Sequence, residues 1–211
     1  LNALEATQSH KEIDNLWVRG GFPDSYLAPD DEASCTWRQN FIRTYLERDI
    51  PQLGPRIPAK TLHHFWTMLA HVQATMVNAS KIASGLDISS PTVSRYIDLM
   101  VDLLLVRKLH PWSSNAGKRL VKSPKIYVRY SGLVHQLLGI TNKEALLGNP
   151  IIGQSWEGFV IKNILSVLKQ PEQAFFYRTA AGAEIDLLIA FSDQEIWAIE
   201  IKRTTAPNVR K

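Results

Sequence analysis

Cysteine is almost absent: the single Cys35 among 211 residues has no internal partner, which excludes a disulfide framework and fits a reducing compartment. Long apolar runs are missing as well. The longest, LMVDLLLV, is short and broken by Asp102, far below the about 20 apolar residues that a membrane-spanning helix needs. No signal peptide is legible, so the reading is of a cytoplasmic chain with no membrane partner. There is no phosphate-binding loop of the form G-x-x-x-x-G-K-(S/T); the nearest phrase, Gly117-Lys118, lacks the upstream glycine and continues into Arg119. ATP hydrolysis by this chain alone is thereby excluded. Ser155, in G-Q-S-W, has neither a flanking glycine of the right spacing nor an evident histidine partner, which argues against acyl transfer. His63, His64 and His71 lack a cysteine or carboxylate to complete a ligand set and read as helix residues. No repeat or low-complexity stretch occurs.

What is present is an ordinary globular composition, 45% hydrophobic and 21% charged, with a net charge of +4 that permits nucleic-acid contact without demanding it. The patterning predicts an α+β fold in three parts. Residues 1–58 read as a helical connector: helical from Asp14, turning at Gly20-Gly21 and Phe22-Pro23-Asp24, then a periodic helix from Thr36 to Ile50 behind the acidic turn Asp30, Asp31, Glu32, stopped by Pro51, Pro55 and Pro58. Residues 59–130 read as a winged helix-turn-helix. Its first helix spans Thr61 to Val77, a second is capped by Asn78, and a third starts at Ser90-Pro91 with Val93, Ile97 and Met100 inward. A wing is expected from Val106–Leu109 and Lys118–Val121. Residues 131–211 read as a helix followed by strands.

Between Gly117 and Arg129 the cations Lys118, Arg119, Lys122, Lys125 and Arg129 occur with no intervening acid, a candidate phosphate-contacting patch for DNA or RNA. The third helix of the middle part argues against base reading, since Arg95 is its one exposed cation against Asp98 and Asp102. DNA contact and docking of a protein partner both stay open for it. Tyr127, Tyr130 and Tyr177 read as packing residues.

The last part holds the residues with the most chemistry. IWAIEIKR alternates as a strand, so Glu200 and Lys202 share one side; DLLIAF, opened by Asp186, is a second strand joined by the polar link SDQE, which makes a hairpin and brings Asp186 near Glu200. Upstream, Trp156, Phe159, Val160 and Asn163 trace a helical stripe with Glu157 at its edge. Three carboxylates are hard oxygen donors suited to Mg²⁺ or Mn²⁺, and Lys202 could orient an attacking water. An acid on a helix, then D and E-x-K on paired strands, resembles the PD-(D/E)XK phosphodiesterase superfamily, with Ile185-Asp186 in place of Pro-Asp. The resemblance implies an αβββ core with metal ligands Glu157, Asp186 and Glu200, and catalytic roles for those three and Lys202.

A second resemblance covers nearly the whole chain. WVRGGFPDSYLA, WRQNFIRTYLERDIPQLG, LLLVRKLHPW, GKRLVKSPKIYVR, LLGNPIIGQSWEGFVIKNIL and YRTAAGAEIDLLI, in this order, are similar to the C-terminal half of prokaryotic AAA-type ATP-binding proteins, a half catalogued as a domain of unknown function. That implies an N-terminal ATPase domain as partner, with ATP bound there, and an internal fragment here: Leu1 is not a Met, and nine residues follow Lys202, before the helix and strand that usually complete the nuclease-like core. Two positions depart from the family. Tyr130 stands in V-R-Y-S-G-L where an acid is typical, and Lys162 stands where an acid commonly follows W-E-G-F-V. Two functions stay open: a Mg²⁺- or Mn²⁺-dependent nuclease governed by the ATPase, or a non-catalytic regulatory scaffold that binds nucleic acid or a protein partner, as a monomer or a homo-oligomer.

Overall fold

Short helices come first. α1 spans Ala3–Ala6 and α2 His10–Arg19, and α2 buries Leu16, Trp17 and Val18 before Gly20 turns the chain at φ +80°. α3 (Pro23–Tyr26) has proline at its first position. Asp30 is extended, and its carboxylate accepts from the Ala33 amide, so α4 begins at Asp31 and runs to Thr44. It continues through a π-helical turn, Tyr45–Asp49, into α5 (Ile50–Gln52). The structure, a computed structural model, describes residues 1–6, 10–53, 57–112, 123–170, 173–192 and 194–204.

α6 (Ala59–His71) buries Leu62, Phe65, Trp66 and Leu69 at helical spacing. It ends six residues earlier than the periodicity predicts, because Ala74 takes a left-handed backbone, φ +60°, and turns the chain into the two-residue strand β1 (Thr75–Met76). α7 (Ala79–Leu86) is capped by Asn78, as expected, with its side chain accepting from Lys81 N. α8 (Ser90–Asp102) is capped one residue before the expected position, by Ser89. β2 (Val106–Pro111) then pairs with β3 (Lys125–Val128). Lys118–Val121, expected as part of the wing, lies outside the described residues.

After β3 come α9 (Ser131–Leu137), α10 (Lys143–Leu147), α11 (Ile152–Val167), β4 (Ala174–Arg178), β5 (Glu184–Ala190) and β6 (Ile196–Ile199). The molecule is α+β, with one six-stranded mixed sheet in the order β1-β3-β2-β4-β5-β6. Only the β2–β4 pair is parallel among these strands. Through that pair the strands before and after residue 130 belong to one continuous sheet.

Three cores result. The first joins α4, α6, α7, α8 and α9 over β2 and β3; the second packs Ile161 and Leu165 of α11 on Leu109, Phe176, Leu187 and Ile189 of the sheet; the third joins α2, α10 and α11. α2 and α9 meet backbone to backbone, since a Cβ on Gly132 would fall 2.1 Å from the Arg19 carbonyl oxygen. β6 is an edge strand among the described residues, and it leaves Ile196 and Trp197 exposed. No helix among the described residues is long and apolar enough to cross a membrane.

Candidate functional site

Where α11 crosses β3, Gly158 lets the helix approach closely: a methyl there would fall 2.4 Å from Gln73 Nε2 and 3.4 Å from Tyr127 Cδ1. The neighbouring Glu157 consequently reaches the sheet, where the Tyr127 hydroxyl donates to its Oε1 at 2.7 Å. Lys125, at the start of β3, points into the same place with its side chain 3% exposed. Its Nζ lies 3.0 Å from Glu157 Oε1, 2.6 Å from Glu184 Oε1 and 3.9 Å from Asp186 Oδ1, and 5.5 Å from the Phe176 ring centre.

A β-bulge aims the acids of β5. Phe175 pairs with Leu188 and Tyr177 with Ile185, so Asp186 and Leu187 together stand opposite Phe176 alone. The extra residue breaks the strict alternation of β5, and Asp186 and Glu184 reach Lys125 although Leu187 and Ile189 belong to the core under α11. Arg178 holds the other oxygen of Glu184 at 2.9 Å. Asp186 Oδ2 accepts from the Ile201 amide at 2.8 Å.

β5 and β6 form the expected antiparallel hairpin, and extending the Leu187–Ile199 register by one residue sets Asp186 opposite Glu200. Glu200 and Lys202 lie just past the last paired residue of β6 and bond each other at 2.5 Å, both about half exposed. The structure thus brings Glu157 and Asp186 together around Lys125, with Glu184 as a member that the sequence reading missed. Glu200 and Lys202 flank this cluster and act on it through space: the Glu200 charge raises Asp186, and Lys202 feels Asp186 and Glu157.

The electrostatics follow from three acids sharing one ammonium. Burial alone would lower Lys125, yet the Glu157 charge and the hydrogen bonds to Glu184 and Glu157 prevail and raise it, so it stays protonated. Burial lifts Glu157 above the ordinary carboxylate value, against the pull of Lys125 and the Tyr127 hydrogen bond. Asp186 is raised by burial first, against the Ile201 amide. Tyr127 is raised by burial and by the Glu157 charge, so its phenol keeps the proton that it donates. Lys202 is raised by its hydrogen bond to Glu200.

The phosphodiesterase resemblance would set Mg²⁺ or Mn²⁺ among Glu157, Asp186 and Glu200. The donors are hard oxygens of the right kind, but their placement does not fit. Among the described residues no three His, Cys, Asp or Glu side chains are grouped to hold an ion. Glu157 and Asp186 turn to the Lys125 ammonium, and Glu200 turns to Lys202.

Of the expected cationic patch, Lys125 and Arg129 are among the described residues. Lys118, Arg119 and Lys122 lie outside the described residues. Lys125 faces the acids, so it is not part of a solvent-facing phosphate patch. Arg129, just past β3, instead neighbours Arg107 of β2 and Lys162 of α11. Burial pushes Arg107 down to about 10, helped by the charge of Arg129. Lys162 is lowered by burial and then by both arginines, against the Glu5 charge; its Nζ donates to the Leu1 carbonyl oxygen at 2.6 Å and lies 6.0 Å from the Tyr130 ring centre. The two departures from the family pattern, Tyr130 and Lys162, therefore meet in one place. Among the described residues, none of these three cations is in a salt bridge.

Ser155 corrects the sequence reading. Its Oγ is 2.7 Å from His135 Nε2 and 3.0 Å from Trp17 Nε1, while His135 Nδ1 is 2.8 Å from the Val18 carbonyl oxygen. The histidine that sequence spacing could not show comes from α9. The carbonyl fixes the proton on Nδ1, leaving Nε2 to accept from the serine. Burial depresses His135 to about 4, and both side chains are fully enclosed, so this pair braces the core and meets no substrate. A cavity of about 470 Å³ opens elsewhere, between α4, the π-helical turn and α6, near Arg43, Glu47, Lys60 and His63. None of the expected site residues lines it.

The sequence matches the domain of unknown function DUF8612 over residues 10–144 and the domain of unknown function DUF4143 over residues 152–211. An uncharacterized protein of Mycobacterium bovis and one of Mycobacterium tuberculosis are each 46% identical to it over 198 residues, which is 94% of this chain and 44% of the relative. The chain thus spans less than half the length of these curated relatives. No solved structure matches it.

Proposed function

Since this chain belongs to the family of the domain of unknown function DUF8612, we propose that it acts as a nucleic-acid-binding module of a longer protein, with an ATP-binding domain outside the chain as its partner. The observation that carries this reading is the convergence of Arg107, Arg129 and Lys162 without a salt-bridged acid among the described residues. Like charges gathered in partial burial are relieved by a polyanion, and phosphate contacts of this kind position a nucleic acid without reading its sequence. The order α6, β1, α7, α8, β2, β3, with β3 between β1 and β2, supports a winged helix-turn-helix for the middle part. α8 is used there for docking rather than base recognition, because Asp98 is already tied to Lys108 of β2.

Fluorescence anisotropy on labelled single-stranded and duplex oligonucleotides tests this. Binding is weak, indifferent to sequence and steeply salt-dependent, and the double variant Arg129→Glu with Lys162→Glu loses it. Affinity that is flat between low and moderate salt, or equal in the double variant, rejects the module reading.

A metal-dependent phosphodiesterase is the second reading, supported by Asp186 standing opposite Glu200 with Lys202 beside it. It requires Lys125 to leave the acids. Cleavage of DNA or RNA by a protein of the relatives' full length with ATP and Mg²⁺ or Mn²⁺, lost in both Asp186→Asn and Lys202→Ala, would establish it. Uncut substrates, or an unimpaired Lys202→Ala protein, would remove it.

A further inference from the structure

We infer that the acid cluster carries its own cation: the Lys125 ammonium occupies the place where a phosphodiesterase of the resembled type would hold a divalent ion, and Glu157, Glu184 and Asp186 are arranged to keep it there. An ammonium has three protons to donate and no acceptor. Lys125 Nζ lies within hydrogen-bond distance of Glu157 Oε1 and Glu184 Oε1, at 3.0 and 2.6 Å, while Asp186 Oδ1 adds charge at 3.9 Å and the Phe176 ring faces it at 5.5 Å.

Each acid is itself held from a second direction. The Tyr127 hydroxyl donates to Glu157, Arg178 to the other oxygen of Glu184, and the Ile201 amide to the other oxygen of Asp186. These second partners fix the oxygens toward Lys125 rather than toward Glu200. A Mg²⁺ ion takes its oxygens at about 2.1 Å. An ion bound to Glu157 Oε1 would therefore crowd the ammonium, which already uses that same oxygen. Two cations cannot share this buried space, so a divalent ion enters only when Lys125 leaves.

The inference is independent of nucleic-acid binding through Arg107, Arg129 and Lys162, and its test reads out without any substrate. Thermal unfolding of the 211-residue chain is followed with and without millimolar Mn²⁺, for the parent, Lys125→Ala, and Lys125→Ala combined with Glu184→Gln. The parent midpoint does not move. Lys125→Ala starts lower and gains about 5 °C at saturating Mn²⁺, and the added Glu184→Gln removes most of that gain. A parent that Mn²⁺ stabilises as much as Lys125→Ala, or a folded Lys125→Ala that Mn²⁺ leaves unmoved, overturns the inference.

Should Lys125→Ala fail to fold, reductive methylation of the parent decides instead. Lys125 stays unmodified in mass spectra with and without Mn²⁺, whereas modification that rises with Mn²⁺ shows a displaced ammonium and refutes a resident one.

Discussion

Two charged clusters bracket β3 and share α11. At the start of β3, Lys125 is one cation among Glu157, Glu184 and Asp186; just past its end, Arg129 joins Arg107 and Lys162 as three cations outside any salt bridge among the described residues. α11 supplies Glu157 to the first and Lys162 to the second. The difference teaches what each can do. In the first, Lys125 is balanced by acids of the same fold and needs no ligand for its charge. The second gathers like charges in partial burial, with the Glu5 charge drawing on Lys162 in the other direction, and added negative charge from outside would relieve it. A buried ammonium matched by carboxylates points to architecture, and a grouping of like charges points to a partner.

The largest expected effect breaks the first cluster. Lys125→Met at neutral pH leaves buried carboxylates uncompensated and lowers unfolding free energy by about 3 kcal/mol, as loss of one partner of a buried pair does. Urea unfolding measures it, and the deficit shrinks toward pH 5 as the acids take up protons. A loss under about 1 kcal/mol would mean that Lys125 is not what balances them.

pH sharpens the contrast next. His135 sits depressed at about 4, so the unfolded chain protonates it first; its contribution is intact above about pH 6.5 and is lost progressively down to about 4, roughly 3 kcal/mol in all. Glu157 and Asp186 are raised, so they work in the opposite direction: the folded state takes up their protons first, and they favour folding more as pH falls toward ordinary carboxylate values. In His135→Gln the acid loss of stability from pH 6.5 to 4.5 therefore flattens. A slope equal to the parent's would count against the placement of His135.

The second cluster should answer in the other sense. Lys162→Met removes a partly buried cation that two arginines disfavour but also its hydrogen bond to the Leu1 carbonyl oxygen, so stability changes by no more than about 0.5 kcal/mol while oligonucleotide affinity falls. A clear loss of stability would show that Lys162 is structural. Smallest of all is Glu200→Gln: the Glu200–Lys202 pair is half exposed, and such pairs contribute about 0 to 1 kcal/mol. Differential scanning calorimetry should find its midpoint within about 2 °C of the parent.

Much of the local structure was legible because it follows from neighbours in sequence. The Asn78 cap, the inward Val93, Ile97 and Met100, the acidic start of α4 and the hairpin of β5 and β6 all follow from short-range chemistry. The helix boundary at His71 was not legible, since apolar spacing runs on through Val72 and Met76 while the left-handed Ala74 ends the helix. Glu184 escaped notice for a related reason. On a regular strand it shares the side of Asp186, but only the bulge opposite Phe176 turns that side toward Lys125.

By itself, then, the sequence determined an α+β chain, the position of most helices and strands, and the fact that acids, lysines and arginines are concentrated near α11 and β3. Those properties are set by period, capping and composition, which act within a few residues. Tertiary structure alone decided which charges meet. Lys125 and Arg129 are four residues apart in one cationic run, yet the parallel pairing of β2 with β4 and the approach of α11 at Gly158 send one into the acids and leave the other with Arg107 and Lys162. Charge pairing depends on distance in space, and a lysine in a basic sequence becomes the centre of an acidic site when the fold carries three carboxylates to it.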